Sequence, residues 1–244
     1  MAFGTYTNIP TSRAQLEVGR FNTYRALAML DLIKKNKDKQ SAYIASEFNY
    51  TNGPAINKQH FKRFNIFGKY NLAINDHTQL TATLSSIVSN WDAASGQVPE
   101  RAVNAGLIDR FGSIDPSEGG QTQRHNANIL LTHTFTNGTL WENQAYYSLY
   151  KFNLYSDFTF FLTDPINGDE INQAEQRNIF GYLSKINMRY ALGSITLKST
   201  YGAGFRHDGT EDSRLANVVK RQFIRNYNWG ILKRQMALPI CSSN

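Results

Sequence analysis

Apolar and polar residues alternate along most of the chain with a period of two. Between residues 78 and 92, one parity carries Leu80, Ala82, Leu84 and Val88, while the other carries mainly Gln, Thr and Ser. Successive side chains of a β-strand point to opposite sides of the sheet, so this segment predicts a strand with an apolar face and a polar face. The same alternation recurs along the chain and predicts an all-β protein.

The alternation predicts about nine strands, most of them longer than the roughly five to six residues usual in globular proteins. They are placed at 18–34, 41–51, 61–74, 78–92, 124–136, 139–156, 177–192, 194–206 and 220–230. A tilted strand needs about 9 to 11 residues to cross the hydrocarbon of a membrane. We therefore expect a partial antiparallel transmembrane β-barrel wall.

Short and long connections alternate between the predicted strands. The short ones are 35–40, 75–77, Asn137-Gly138 and Gly193, and the long ones are 52–60, 93–123, 157–176 and 207–219. Outer-membrane barrels have short periplasmic turns and long extracellular loops, so the sequence predicts this arrangement. The Asn137-Gly138 pair also predicts a two-residue hairpin turn.

Composition narrows the class of protein. The 244 residues include 13% aromatic and 41% hydrophobic residues, and the formal net charge is +7. Aromatic residues gather near the predicted strand ends, as at Phe48, Tyr50, Trp91, Trp141, Tyr155 and Phe158, where interfacial girdles would place them. Basic residues are spread along the chain, so we expect no nucleic-acid partner. The lone cysteine, Cys241, excludes a disulfide within the chain.

Two segments carry a family resemblance. Residues 91–103 read Trp-Asp-Ala-Ala-Ser-Gly-Gln-Val-Pro-Glu-Arg-Ala-Val, followed by Gly-Leu-Ile-Asp-Arg-Phe-Gly-Ser-Ile-Asp at 106–115 and Glu-Gly-Gly-Gln-Thr at 118–122. The earlier Ala-Tyr-Ile-Ala-Ser-Glu-Phe at 42–48 precedes Asn52-Gly53-Pro54. In this order and spacing, the segments resemble TonB-dependent outer-membrane receptors, particularly their Bacteroidetes-like branch, over roughly residues 18–230.

This resemblance implies a barrel of about 22 strands that is filled by an N-terminal plug. Such receptors lie in the outer membrane of Gram-negative bacteria and import a scarce small-molecule nutrient, such as a siderophore or glycan. Their partners are the outer-membrane lipid and the energy-transducing TonB complex. We expect a lead-in at 1–17, a partial barrel at 18–230 and an unpatterned tail at 231–244, which would fit a frameshifted end. Against the family pattern, we expect the plug and the signal peptide to be missing.

Five charged residues of the long loop are candidates for ligand capture: Arg101, Asp109, Arg110, Asp115 and Glu118. The alternative is that these side chains are simply solvated. His125 and His133 lie about 26 Å apart along an extended strand, too far to share an ion. We expect no metal site, no cofactor and no catalytic residues, and therefore no enzyme. The alternatives are an outer-membrane barrel enzyme, a passive porin, a soluble β-sandwich or a non-functional gene fragment.

Overall fold

The computed structural model describes residues 12–33, 39–92, 98–193 and 195–243. Ten antiparallel strands form one sheet in which each strand pairs with the next along the chain. The strands are β1 (Arg13–Gly19), β2 (Thr23–Ile33), β3 (Gln40–Thr51), β4 (Phe61–Asn75), β5 (Thr78–Asp92), β6 (Gly119–Thr134), β7 (Leu140–Ser156), β8 (Ile171–Leu192), β9 (Ile195–Val219) and β10 (Gln222–Ser243). The helix α1 (Glu100–Asn104) lies between β5 and β6. None of the helical structure in the described residues has the length and apolar character needed to cross a membrane.

Pairing sorts the side chains onto two faces of the sheet, because directly opposed residues of neighbouring strands share a face. Across β3 to β6, Ile44 lies opposite Gly68, Gly68 opposite Leu84, and Leu84 opposite Ala127. We call this side the apolar face. The other side is the polar face, where Glu47 lies opposite Asn65. The predicted all-β sheet of long, two-faced antiparallel strands is confirmed.

Ion pairs cross four strands on the polar face. Arg25 of β2 bonds Glu17 of β1 at 2.7 Å and Glu47 of β3 at 3.1 Å. Arg63 of β4 bonds the other oxygen of Glu47 at 2.8 Å. On β7 and β8, Glu142 similarly pairs with Lys185 at 3.1 Å. These charged groups are thus neutralised by neighbours on the same face.

Aromatic side chains of β7 and β8 bond to polar groups on the apolar face. In β7, the Trp141 indole donates to the Ser184 hydroxyl of β8 at 2.9 Å. The Tyr182 hydroxyl donates to the Asn143 carbonyl oxygen at 2.6 Å. A buried polar group without a partner is costly, so these bonds allow amides and hydroxyls on a face that is otherwise apolar.

Long and short connections lie at opposite ends of the sheet. Among the described residues, the loop end carries 20–22, 52–60, 98–118, 157–170 and 220–221, and the turn end carries Lys39, 76–77, 135–139 and Gly193. The predicted sorting of long and short connections is therefore confirmed, apart from two tight turns at the loop end.

Those two tight turns correct the predicted strand limits. The segment 18–34 is not one strand, since it turns at Phe21 and Asn22, which have φ of 60° and 53°. The predicted loop 207–219 is also wrong, because β9 runs through it to a turn at Lys220 and Arg221 with φ of 48° and 65°. Both turns use left-handed backbone without glycine, which removes the usual sequence signal of a hairpin.

The C-terminal strand departs furthest from the prediction. Residues 231–243 are not an unpatterned tail but continue β10. Three register shifts interrupt its pairing with β9. Beyond the last shift, Leu232 and Leu238 lie on the polar face, opposite Thr210 and Gly204, while Lys233 lies on the apolar face. The alternation is therefore inverted relative to the rest of the sheet, which explains why it did not extend the predicted pattern.

Other strand limits differ by fewer residues. Strands β6 and β8 begin earlier than predicted, at Gly119 and Ile171. The predicted two-residue hairpin is a longer turn over 135–139, in which Gly138 has φ of 80° and its amide donates to the Phe135 carbonyl. The extra turn residues give a bulged hairpin.

Candidate functional site at the loop end

A group of buried acidic and apolar side chains lies at the loop end of the sheet. Ala216 and Val218 of β9 are buried there with Glu118, Asp157 and Glu170, which are 4%, 4% and 1% exposed. We call the following six residues the rim cluster: Asp115, Ser117, Glu118, Asp157, Glu170 and Arg221. The cluster joins loop 93–118, loop 157–170 and the β9–β10 turn.

Glu118 connects the first two of these segments. It directly precedes β6, and its carboxylate accepts a bond from the Asp157 backbone amide at 2.8 Å. Asp157 directly follows β7, and its own carboxylate accepts from the Phe160 amide at 2.6 Å. The start of β6 and the end of β7, which lie side by side at the loop end, are therefore held by carboxylates bound to backbone N–H groups.

Glu170 connects the second loop to the β9–β10 turn. One oxygen of its carboxylate lies 3.1 Å from the Ser117 hydroxyl, and the other accepts from the Arg221 amide at 3.1 Å. The Ser117 hydroxyl also lies 2.6 Å from an Asp115 oxygen. A hydroxyl has one proton to donate, so a protonated Glu170 would supply the second bond.

Arg221 reaches back from its turn to the long loop. Its Nε donates to the Ser117 carbonyl at 2.5 Å, and a terminal nitrogen donates to the Glu118 carbonyl at 2.9 Å. The guanidinium also lies over the Tyr155 ring, 5.2 Å from its centre. Because these bonds use backbone carbonyls, Arg221 fixes the position of the chain in the long loop.

Burial sets the protonation of the rim cluster. It raises the pKa of Glu118 from 4.5 to about 7, and the nearby Asp115, Asp157 and Glu170 carboxylates add to the effect. Burial is also the main cause of the raised pKa values of Asp157 and Glu170. Removal from water disfavours the charged form of an acid, and neighbouring negative charges disfavour it further. Near neutral pH, Glu118 is therefore partly protonated, whereas an exposed carboxyl group would be ionised.

Gly119 allows the close packing next to Glu118. Its φ is 144°, and a Cβ placed there would lie 2.5 Å from the Trp91 carbonyl oxygen and 2.6 Å from the Arg221 guanidinium. Only glycine leaves room for β5 and the arginine to approach the chain so closely.

Loop 157–170 is folded by its own carboxylates. Asp169 accepts bonds from the amides of Thr163 and Asp164, each at 2.8 Å, and from the Thr159 hydroxyl at 2.9 Å. Asp164 accepts from the Asn167 amide at 2.9 Å. Backbone N–H donors are the main cause of the lowered pKa of both aspartates. The loop therefore has a defined conformation at neutral pH.

Large apolar side chains project from the loop end into solvent. In loop 157–170, Leu162 is 79% exposed and Ile166 is 87% exposed. Leu107 of the long loop is 81% exposed. Phe111, Phe158 and Phe161 are also exposed at this end. The predicted ligand-capture residues are all charged, although apolar residues flanked by Asp and Asn in a long loop could also have indicated this surface.

The structure divides the five predicted ligand-capture residues into two groups. Asp115 and Glu118 lie in the rim cluster, where they bond to protein groups. Arg101, Asp109 and Arg110 are exposed, and the Asp109 carboxylate accepts from the Phe111 amide within its own turn. The first group thus organises the loops, while the second faces solvent.

The described residues contain no group of three or more His, Cys, Asp or Glu side chains arranged to hold a metal ion. His125 and His133 bond separately to Ser86 and Thr78, at 2.9 Å and 2.8 Å. The rim carboxylates bond to N–H and O–H donors, as described above. The contacts of the two histidines and of the rim carboxylates are therefore hydrogen bonds to protein groups.

Three solved structures share this arrangement of strands. An FpvAI–pyocin S2 complex has a TM-score of 0.73 at 12% identity, covering 95% of this chain and 35% of that one. The unliganded ferric citrate transporter FecA gives 0.69 at 9% identity, covering 92% and 32%. The ferripyoverdine receptor of the outer membrane of Pseudomonas aeruginosa, bound to ferripyoverdine, gives 0.68 at 13% identity, covering 94% and 34%.

The chain has the fold of a TonB-dependent receptor barrel wall. It spans about a third of the length of the solved structures it matches. No protein-family model matches the chain, and no curated protein matches it. The similarity of the barrel wall to receptors and transporters lies in the path of the strands and in few shared residues.

Proposed function

We propose that this chain forms part of the barrel of a TonB-dependent receptor in the outer membrane of a Gram-negative bacterium, of the Bacteroidetes-like branch that residues 91–122 resemble. The receptor would import a scarce small-molecule nutrient with energy from the TonB complex. Its role would be transport and not catalysis. The observation that carries the proposal is a sheet of long strands with one apolar face, one ion-paired polar face and its long connections at one end.

The two faces support distinct surroundings for the sheet. Leu84 and Ile129 are exposed on the apolar face, at 64% and 53%, and would contact lipid. The Glu17, Arg25, Glu47 and Arg63 chain lies on the opposite face, which would line the lumen and contact the plug. In a barrel with this arrangement, apolar residues contact lipid on the outside and polar residues contact water or protein on the inside.

The loop end supports ligand capture outside the cell. Loop 157–170 presents exposed Leu162 and Ile166 on a conformation fixed by Asp169. Arg101 and Arg110 add exposed charge in the long loop between β5 and β6, which lies at the same end of the sheet. Apolar anchors surrounded by polar groups are common in binding surfaces. The rim cluster would then hold the two capturing loops together.

Cysteine labelling on intact cells tests the location and the orientation. In a Cys241→Ser background, a cysteine at Asn104, in α1, should react with a membrane-impermeant maleimide. A cysteine at Thr136, at the turn end, should react only after the outer membrane is permeabilised. Both positions are exposed in the structure, so access to the reagent should decide the result.

Equal labelling of both cysteines on intact cells would contradict the proposed orientation. Recovery of the labelled protein in the soluble fraction would contradict the membrane location. In the receptor, the double substitution of Phe161→Ser with Leu162→Ser should reduce nutrient uptake while Asn104→Cys labelling persists. Unchanged uptake would remove this loop from ligand capture.

A further inference from the structure

A band of amide and lysine side chains crosses the apolar face near the loop end. The pairing places Lys62 opposite Asn90, Asn90 opposite Gln121, and Gln121 opposite Asn153. Two residues nearer to the turn end, Gln123 lies opposite Lys151, and Lys151 opposite Gln176. We call these seven residues the amide band. Among the described strand residues of the apolar face, no other row places a Lys, Asn or Gln side chain on each of four neighbouring strands.

Two pockets open along the amide band. One of about 290 Å³ is lined by Lys62, Asn90, Gln121 and Asn153, and extends to Arg221. The other, of about 280 Å³, is lined by Gln121, Gln123, Lys151, Asn153 and Gln176, among other polar residues. Since both contain Gln121 and Asn153, they form neighbouring parts of one polar surface.

The lysines of the band are available to an anionic ligand. Within the described residues, neither Lys62 nor Lys151 lies at ion-pair distance from a carboxylate. The acids that line the pockets have partners: Asp92 lies 3.4 Å from His60 and 3.5 Å from Arg221. Glu175 pairs with Arg177 at 2.9 Å, Glu211 accepts from Gln176 at 3.4 Å, and Asp212 accepts from the Trp229 indole at 3.2 Å.

An apolar groove of about 430 Å³ lies on the same strands, further from the loop end. Ile44, Ile66, Leu84, Ala127 and Tyr147 contribute to its walls. Gly68 forms part of its floor, and a Cβ built on Gly68 would meet nothing within 4 Å. The groove begins at His125, two paired rows from Lys151, or roughly 7 Å along the strands.

We infer that the amide band and this groove together bind a phosphorylated glycolipid of the surrounding membrane. This inference rests on the proposed membrane location. Lysine ammonium groups suit phosphate, and carboxamides both donate to and accept from sugar hydroxyls. The groove takes an acyl chain, which in a membrane lies on the apolar side of the headgroup. The order of the two surfaces along the strands therefore matches the order of the two parts of such a lipid.

Native mass spectrometry of the full chain in detergent micelles tests this inference. The probes are lipid A, which is a phosphorylated and acylated disaccharide, and phosphatidylethanolamine, which has acyl chains but no sugar. The wild-type chain should retain lipid A preferentially. The Lys62→Gln, Lys151→Gln double variant should bind lipid A at least about tenfold more weakly, because two charge-assisted contacts are lost. Lys69→Gln, on the polar face of β4, is the matched control and should bind as the wild type does.

A second variant separates the groove from the band. The Cβ of a side chain at Gly68 would enter open space, so Gly68→Leu should occupy the groove and weaken binding of lipid A while binding of its deacylated headgroup stays unchanged. Equal binding of lipid A and phosphatidylethanolamine, or wild-type binding by the double lysine variant, would overturn the inference. Circular dichroism of the same samples separates failure of this inference from failure of the proposed function. A chain without β-structure in micelles would contradict the proposed barrel itself.

Discussion

Protonation of Glu118 should decide how tightly the two long loops close at the loop end. When the loops are closed, Glu118 is buried and has a pKa of about 7 instead of 4.5. When they open, the carboxyl group returns to water and to its ordinary pKa. The Glu118→Gln substitution isolates this effect, because an amide keeps the oxygen that accepts from the Asp157 N–H and carries no charge.

The pKa difference fixes the sign and size of the effect. It corresponds to about 3 kcal/mol in favour of the protonated form of the closed loops. The folded pKa lies above the unfolded value, so the stabilisation is fully present below pH 4.5 and is lost as pH rises to about 7. Between pH 5 and pH 8, the free energy of opening should fall by about 2.5 kcal/mol.

Hydrogen exchange measured by mass spectrometry provides the assay. In wild type, peptides that cover 98–118 and 157–170 should lose protection as pH rises from 5 to 8, after correction for intrinsic exchange. In Glu118→Gln, the same peptides should exchange at pH 8 more slowly by a factor on the order of 200, which is the shift of about 3 kcal/mol expressed as a ratio. The Glu100→Gln control changes an exposed acid of α1 in the same loop and should leave exchange unchanged.

An unchanged opening free energy across this pH range in wild type would refute the reasoning. So would a Glu118→Gln chain that exchanges as fast as wild type at pH 8. Either result would mean that water reaches Glu118 in the closed loops and that its burial does not set its protonation.

Three other substitutions test separate parts of the structure. Gly119→Ala should destabilise the loop end by about 1–3 kcal/mol, because its added Cβ would meet the Trp91 carbonyl; normal exchange protection of 98–118 would contradict the clash. Asp169→Asn should speed protease cleavage of loop 157–170 at pH 7, because the lowered pKa of Asp169 means that its ionised form stabilises the loop. This stabilisation should be lost in wild type as the pH falls through that lowered pKa. Leu84→Lys should lower the free energy of unfolding of the membrane-inserted chain by about 2–4 kcal/mol, measured by urea titration in lipid vesicles. Thr83→Lys, on the polar face, should lower it much less. Equal effects would mean that lipid does not contact the apolar face.

The sequence predicted the sheet because alternation depends only on which side of a strand each residue faces. It missed features that depend on backbone geometry. Phe21-Asn22 and Lys220-Arg221 form tight turns with positive φ and without glycine, so β1 was not recognised and the upper part of β9 was taken for a loop. Strand β10 was cut short because its side chains, after three register shifts, occupy the opposite faces from those of the other strands.

The candidate site was predictable only in part, since its residues come from distant segments. Asp115 and Glu118 were selected as acidic loop residues, but Arg221 lies 103 residues beyond Glu118. The pairing that brings them together follows from the strand ends, because Asp157 and Glu170 flank the β7–β8 connection. Correct limits for β6 and β8 would have placed Glu118, Asp157 and Glu170 at one end of the sheet. Their protonation depends on burial, which the sequence pattern does not measure.

The pairing of every strand with its sequence neighbour has a kinetic consequence. Each hairpin closes a loop no longer than the connection between its two strands, and closing entropy grows only slowly with loop length. Folding can therefore proceed by the stepwise addition of hairpins, without long-range search for a partner strand. The β5–β6 pair is the exception, because it must close the connection 93–118. That closure should be the slowest hairpin step and should divide assembly into an N-terminal half, β1 to β5, and a C-terminal half, β6 to β10.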